Sequence, residues 1–183
     1  MIRRERSVPA TLDLFADDTL PAPCIEHIGP RSFVLRGFAL SRGEHLLPAL
    51  ERVLSEAPFR HMVTPGGFTM SAALSNCGSL GWVTDRSGYR YTPIDPGSGN
   101  PWPGLPDVFM QLAQAAASKT GFAGFVPDVC LINRYAPGAK MSLHQDKNEL
   151  DYEWPVVSVS LGIPAMFLFG GMARSDKAQR VPL

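Results

Sequence analysis

The amino-acid sequence predicts an α+β domain in which helices pack on one side of a sheet sandwich or barrel. Three observations lead there. Apolar residues recur at helical spacing in two early stretches, residues 44–56 and 107–119, whereas strand-like runs crowd the last third of the chain. Helices early and strands late are the pattern of segregated layers. The chain has 183 residues, 45% of them hydrophobic, enough to bury one substantial core, so one domain is the default.

Taken in order, residues 1–30 are polar and dotted with proline. Their charged start, Arg3-Arg4-Glu5-Arg6, reads as a frayed, poorly ordered arm in preference to a nucleic-acid-binding tail. Ser32 to Phe38 reads as a strand. From Glu44 to Glu56, Leu46, Leu47, Leu50, Val53 and Leu54 make an amphipathic helix that Pro58 ends. Thr69 to Leu74 looks like another strand. Residues 84–108 hold Pro93, Pro96, Pro101, Pro103 and Pro106 with Gly88, Gly97, Gly99 and Gly104, and so long a non-helical segment inside a domain is usually functional or disordered. Pro106 then starts a helix over Asp107 to Lys119, with Val108, Phe109, Leu112 and Ala116 on one side and Gly121 as its stop. A strand over Asp128 to Tyr135, a turn at Pro137-Gly138, a strand bearing His144 and Asp146, and an acidic loop from Glu149 to Glu153 follow. Strands over Val156 to Leu161 and Ala165 to Phe169 precede a polar tail from Arg174.

Bulk charge excludes little. Lys+Arg and Asp+Glu both number 17, so any polyanion site must be a local patch. The three cysteines, Cys24, Cys77 and Cys130, lack metal-type spacing and, with no apolar leader, suggest a reducing cytoplasm. The longest apolar run, Val156 to Phe169, is broken by Ser158, Ser160, Gly162 and Pro164 and reads as sheet core, not as a membrane span.

The chemistry lies at His144-Gln145-Asp146. Side chains two residues apart on a strand point to the same face, so this His and this carboxylate can grip one metal ion. They are two of the three ligands in the facial triad of non-heme Fe(II) oxygenases, whose open positions admit a cosubstrate and O2. The four histidines are His27, His45, His61 and His144, so none follows the pair. A His-x-Asp triplet met alone is ordinarily a surface ion pair. Its surroundings alter the balance: Asn133 and Tyr135, also two apart, offer an amide and a phenol from a neighbouring strand.

Longer words surround the pair. They are Met62-Val63-Thr64-Pro65-Gly66-Gly67, Gly81-Trp82, Tyr91-Thr92-Pro93-Ile94-Asp95-Pro96 and Pro101-Trp102-Pro103. Leu131-Ile132-Asn133-Arg134-Tyr135-Ala136-Pro137-Gly138-Ala139-Lys140 then leads into Leu143-His144-Gln145-Asp146-Lys147. Val157-Ser158-Val159-Ser160-Leu161-Gly162 and Phe169-Gly170-Gly171 close the series. In this order, from about Leu12 to the last residue, they resemble the bacterial AlkB family of Fe(II)/2-oxoglutarate dioxygenases, which reverse alkylation damage on nucleobases.

The resemblance implies a double-stranded β-helix (jelly roll) with N-terminal helices and a nucleotide-recognition lid. It divides the chain into an arm over 1–30, an extension with helices and lid over 31–125, and the first part of the jelly roll over 126–183. It places Fe(II) on His144 and Asp146. Asn133, Arg134, Tyr135 and Met141 fall at the 2-oxoglutarate pocket. Trp82 becomes the base-stacking residue, Tyr89, Arg90 and Tyr91 nucleotide contacts, and Arg174 a further substrate contact. A flipped base is read by stacking and edge contacts, which suits these residue types; without the resemblance Trp82 and Tyr89 read as packing residues. The implied reaction is demethylation of bases such as 1-methyladenine and 3-methylcytosine in DNA, preferably single-stranded, or RNA. A monomer using 2-oxoglutarate and O2 would release succinate, CO2 and formaldehyde.

The sequence departs from the family at two places. The family's distal iron His and C-terminal arginines have no counterpart, so a jelly roll incomplete at its C-terminus is expected, by truncation and not by natural loss, with the 183-residue piece inactive. The rival readings are a non-catalytic nucleic-acid-binding remnant and the same oxygenase chemistry on a protein or small molecule. The second departure is Asn148, where the family carries an Asp near the damaged base. An ionised Asp attracts a cationic methylated base; an amide is neutral and can donate. Asn148→Asp is therefore expected to raise the turnover ratio of cationic over neutral lesions. An unchanged ratio would mean that position 148 does not face the base.

Overall fold

The computed structural model describes residues 23–146 and 149–183. Within them two helices and eight short strands follow the order β1 (Cys24–Gly29), β2 (Ser32–Arg36), α1 (Gly43–Glu56), β3 (Ala73–Gly78), β4 (Gly81–Asp85), β5 (Gly88–Thr92), α2 (Asp107–Lys119), β6 (Val129–Arg134), β7 (Met166–Phe169) and β8 (Gln179–Pro182). The ladders are β1–β2, β3–β6, β4–β5 and β7–β8. All are antiparallel, as jelly-roll sheets are.

Helix α2 forms over the residues that the periodicity predicts. Pro106 precedes it in extended backbone, with φ −61° and ψ 141°, and Gly121 follows at φ +94°, which a side chain would strain. Helix α1 is entered through a 3-10 turn, Leu40–Arg42. Its buried stripe is Leu46, Ala49 and Val53, at spacings of three and four, and it continues into Ala57. Full burial of a Leu or Val side chain is worth about 1.5–3 kcal/mol, so this stripe fixes the helix against the sheet. Leu47, expected inward, is 54% exposed, because the stripe is one residue narrower than the run of leucines suggests. Pro48 lies inside the helix on its exposed side, where water can satisfy the carbonyl it leaves without a donor.

Several elements differ from expectation. The arm expected over 1–30 contributes β1; residues 1–22 lie outside the described residues. The strand expected at Thr69 to Leu74 is instead β3, Ala73–Gly78, while Thr69 makes only an isolated bridge to Val63. The polar pair Ser75-Asn76 masked this strand, yet both residues are fully buried. They are buried because they are bonded. The Ser75 hydroxyl donates to the Ala57 carbonyl at 2.5 Å, and the Asn76 amide exchanges two 3.0 Å bonds with the backbone of Trp82. Strand β3 pairs with β6, so the boundary expected between residues 125 and 126 falls between two strands of one sheet.

Residues 141–146 and 156–161, both expected as strands, have no ladder. A strand persists only where a partner takes its backbone bonds, and among the described residues none pairs with these. Val156 is accordingly 69% exposed. Beyond Arg174 the chain is not simply a polar tail, for β8 pairs with β7 and buries Val181 opposite Phe167. One apolar residue in a four-residue strand leaves no period to read. Arg36 ties β1–β2 to this ladder by bonding both Glu26, at 2.9 Å, and the Pro182 carbonyl.

The proline- and glycine-rich segment is ordered. It opens with the β4–β5 hairpin and closes on Trp102, which is 5% exposed and donates its indole N–H to the Thr92 carbonyl at 2.9 Å. Trp102 completes a core of Ala57, Met62, Leu74 and Val83. Its ring lies so close over Gly81 that no Cβ would fit there. The loop beyond β5 is pinned by Asp95, whose carboxylate takes both Arg60 guanidinium nitrogens at 2.6 Å, the Gly97 N–H at 2.9 Å and the Ser98 hydroxyl at 3.1 Å. Burial pushes the Asp95 carboxyl up, and the Arg60 pairing with these donors outweighs it, leaving the group below its ordinary value.

A carboxyl held low in the fold contributes stability above its unfolded value and loses it as pH falls through the folded one. Asp95→Ala, which leaves the Arg60 charge without its partner, is expected to cost about 3 kcal/mol, read from urea unfolding at neutral pH. The cost should begin to shrink as pH falls below about 4, the ordinary carboxyl value, and vanish once pH has passed through the lower value that Asp95 has in the fold. A loss of a few tenths of a kcal/mol, as for an exposed ion pair, would show that the pair does not hold the loop.

Candidate metal centre and nucleotide lid

His144 and Asp146 face each other. The imidazole Nε2 lies 3.6 Å from the Asp146 Oδ1, and both side chains are 54% exposed. Metal bonds of about 2.0–2.2 Å from an imidazole nitrogen and a carboxylate oxygen span up to about 4 Å, so both atoms can reach one ion. The His144 Nδ1 sits 2.8 Å from the Ser142 carbonyl. A proton on Nδ1 donates there and leaves the Nε2 lone pair free for the ion, the arrangement that metal-binding histidines adopt. A neutral imidazole with a carboxylate suits Fe(II). Among the described residues no group of three such side chains could hold a metal.

The backbone bearing this pair is held from several sides. The Ser71 hydroxyl donates to the Lys140 carbonyl at 2.7 Å and accepts from the Lys140 N–H at 3.1 Å. Tyr135, just past β6, points its hydroxyl at the Met141 sulfur, 4.0 Å away, and burial raises its phenol above the ordinary value. Two of the expected cosubstrate residues, Tyr135 and Met141, are therefore together. Asn133 lies on β6 opposite Leu74 and shares the Tyr135 face by alternation. Arg134 does not join them. It points to the other face, its guanidinium 4.7 Å over the Phe59 ring.

The β4–β5 register puts Trp82 opposite Tyr91 and Thr84 opposite Tyr89, so these four share one face. Trp82 and Tyr89 stack at 5.6 Å between centroids with planes 22° apart. Trp82 is half-buried against the core, and Tyr89, 51% exposed, carries the outer surface of the stack. Arg90 is on the opposite face, bonded to Asp85 at 2.6 Å; that pairing, with the Ser87 N–H, lowers the Asp85 carboxyl to about 2. Arg174 stands exposed on the connection between β7 and β8, and Asn148 lies outside the described residues.

A hydrogen bond joins the hairpin to the loop that follows the His144–Asp146 pair. The Tyr91 hydroxyl donates to the Glu149 carboxylate at 2.8 Å. Burial, then this bond, then the charges of Glu149, Asp146 and Asp128 push the Tyr91 phenol far above its ordinary value, so it stays a donor throughout the working pH range. Glu149 was visible in the sequence only as one carboxylate of an acidic loop. Its partner is 58 residues away, and no local period connects the two. Asn76 was missed for a similar reason: a polar residue in a strand carries no sequence mark of burial.

Antiparallel ladders and an exposed His–carboxylate pair are features that a metal-dependent oxygenase of the jelly-roll class combines. The profile of the 2OG-Fe(II) oxygenase superfamily matches residues 33–183. The alpha-ketoglutarate-dependent dioxygenase AlkB of Salmonella typhimurium is 56% identical over 172 residues, which are 94% of this chain and 78% of that protein. The mouse nucleic acid dioxygenase ALKBH1 is 33% identical over 98 residues, 53% of this chain and 25% of that one. The solved structure of OsALKBH1 superposes with a TM-score of 0.71 at 25% identity, covering 87% of this chain and 78% of that chain. The chain belongs to the 2OG-Fe(II) oxygenase superfamily and, within it, to the AlkB family. Fe(II), 2-oxoglutarate and O2 are the cofactor and cosubstrates of that class.

Proposed function

We propose that the protein oxidatively dealkylates N-alkylated bases in nucleic acid, with 1-methyladenine and 3-methylcytosine in single-stranded DNA or RNA as its substrates. The observation that carries this reading is the Tyr91–Glu149 bond, which joins an aromatic stack to the segment bearing the His144–Asp146 pair. A nucleobase needs a flat apolar surface, and an alkyl carbon needs to lie beside the metal; a bond from the stacked hairpin to the loop after the pair supports this reading. In this reading His144 and Asp146 hold Fe(II), while Asn133, Tyr135 and Met141 wall the 2-oxoglutarate pocket. Trp82 and Tyr89 carry the base, and Tyr91 and Arg174 meet the nucleotide. The iron centre supplies oxygen activation coupled to loss of CO2 from 2-oxoglutarate, giving succinate. The second oxygen atom enters the N-alkyl group as a hydroxyl. The resulting hemiaminal falls apart to formaldehyde and the free base nitrogen, which takes the hydroxyl proton.

Two properties complete the proposal. The three cysteines are free thiols, as a reducing compartment keeps them, and we place the protein, proposed as a monomer, in the cytoplasm; separately, among the described residues no helix is long and apolar enough to cross a membrane. Arg134, on its separate face, has a packing part.

His144→Ala and Asp146→Ala are each expected to abolish formaldehyde release from an N-methylated oligonucleotide, because each removes a ligand. Release near the parent level from either variant sinks the metal assignment. Trp82→Ala is expected to weaken binding of the damaged oligonucleotide by about 1–3 kcal/mol, the worth of one base–aromatic stack, and to leave 2-oxoglutarate affinity unchanged. If cosubstrate affinity falls as far as oligonucleotide affinity, Trp82 is a packing residue and the base rests elsewhere.

A further inference from the structure

We infer that Gln145, the residue between the two metal-binding side chains, is a positioning residue that sets their separation through the turn joining β7 to β8. The inference rests on the metal reading above. Gln145 donates its side-chain N–H to the Met172 carbonyl at 2.7 Å, across 27 residues of sequence. Among the described residues this is the hydrogen bond that ties 142–146 to a distant part of the chain; the His144 contacts to Ser142 and Asp146 lie within the segment itself.

The receiving carbonyl is itself fixed. The Asp176 carboxylate accepts the Ala173 N–H at 3.0 Å, and the Asp176 N–H bonds the Ala173 carbonyl at 3.0 Å, closing the turn from both directions. The same carboxylate lies so close to Gly171 that no Cβ would fit there. The turn is thus buckled around one side chain, and the Met172 carbonyl has a set direction. Adjacent side chains leave an extended backbone on opposite sides. Anchoring residue 145 therefore fixes the roll of the backbone from which His144 and Asp146 project. Without that anchor their 3.6 Å spacing has no ladder to maintain it. Groups that orient metal ligands in this way commonly cost 10–100-fold in metal affinity when removed.

The test titrates the full chain with Co(II) as a spectroscopic stand-in for Fe(II), following the visible absorption that reports ligand geometry. Gln145→Leu keeps the side chain's bulk and removes the donor. It should bind Co(II) about 10-fold more weakly, with an altered absorption band and an unchanged unfolding temperature. Asp176→Ala, which opens the turn without approaching the metal pair, should do the same, and the double variant should lose no more than either single one. Unchanged affinity and spectrum in Gln145→Leu, or losses that multiply in the double variant, overturn the inference. Should Gln145→Leu fail to fold, Asp176→Ala alone decides it, an unchanged spectrum overturning it. Co(II) binding that survives His144→Ala overturns the metal reading itself, so the two failures are told apart.

Discussion

Two side chains proposed to share one metal ion can do so only if the backbone beneath them is held still, and among the described residues no sheet ladder holds 141–146. Discrete side-chain bonds supply the restraint. Ser71 clamps Lys140 at one end, and Tyr91 takes Glu149 at the other. These bonds originate on different elements: the approach to β3 and the β4–β5 hairpin. A single hydrogen bond is worth about 0.5–1.5 kcal/mol net, so no one of them secures the segment; their distribution does. The placement of His144 and Asp146 therefore depends on packing on both sides of them in the chain, the extension before and, through the Gln145–Met172 bond, the β7–β8 turn after.

That extension holds its shape through buried polar groups, each of which would be costly if left unpaired. Asn76 lies fully buried beneath Trp82 and spends its amide on the Trp82 backbone, leaving the ring to lean on Tyr89. Asp95 gathers Arg60, Gly97 and Ser98 at the far end of the same segment, and the Arg60 guanidinium lies 5.5 Å from the Trp102 ring. The two networks bracket the hairpin. A long run of prolines and glycines, which cannot form a helix, is thereby made a defined surface.

The hairpin is also where the proposed nucleotide surface is tied to the loop that follows the His144–Asp146 pair. Tyr91 shares a face with Trp82 and Tyr89, and its hydroxyl ends on the acidic loop just past the metal pair. In the proposed function a base on this stack would be referenced to the His144–Asp146 pair through one covalent strand and one charge-assisted bond, which is stronger than a neutral one.

Local features were legible in the sequence. Helix α2 was bounded by Pro106 and Gly121 and patterned at 3.6 residues, so its limits could be read directly. That His144 and Asp146 face one another could be read from their spacing, and the family likeness from the order of the motif words around them. Strand β3 was obscured by Ser75 and Asn76, whose burial depends on partners at Ala57 and Trp82, and β8 was too short for any period to show. Pairing across distance belonged to the tertiary structure: Tyr91 with Glu149, Gln145 with Met172, Arg134 with Phe59 on the face away from Tyr135. Residue type and period constrain only neighbours a few positions apart. Which distant carbonyl or carboxylate a side chain meets is decided when the ladders and the core bring segments together.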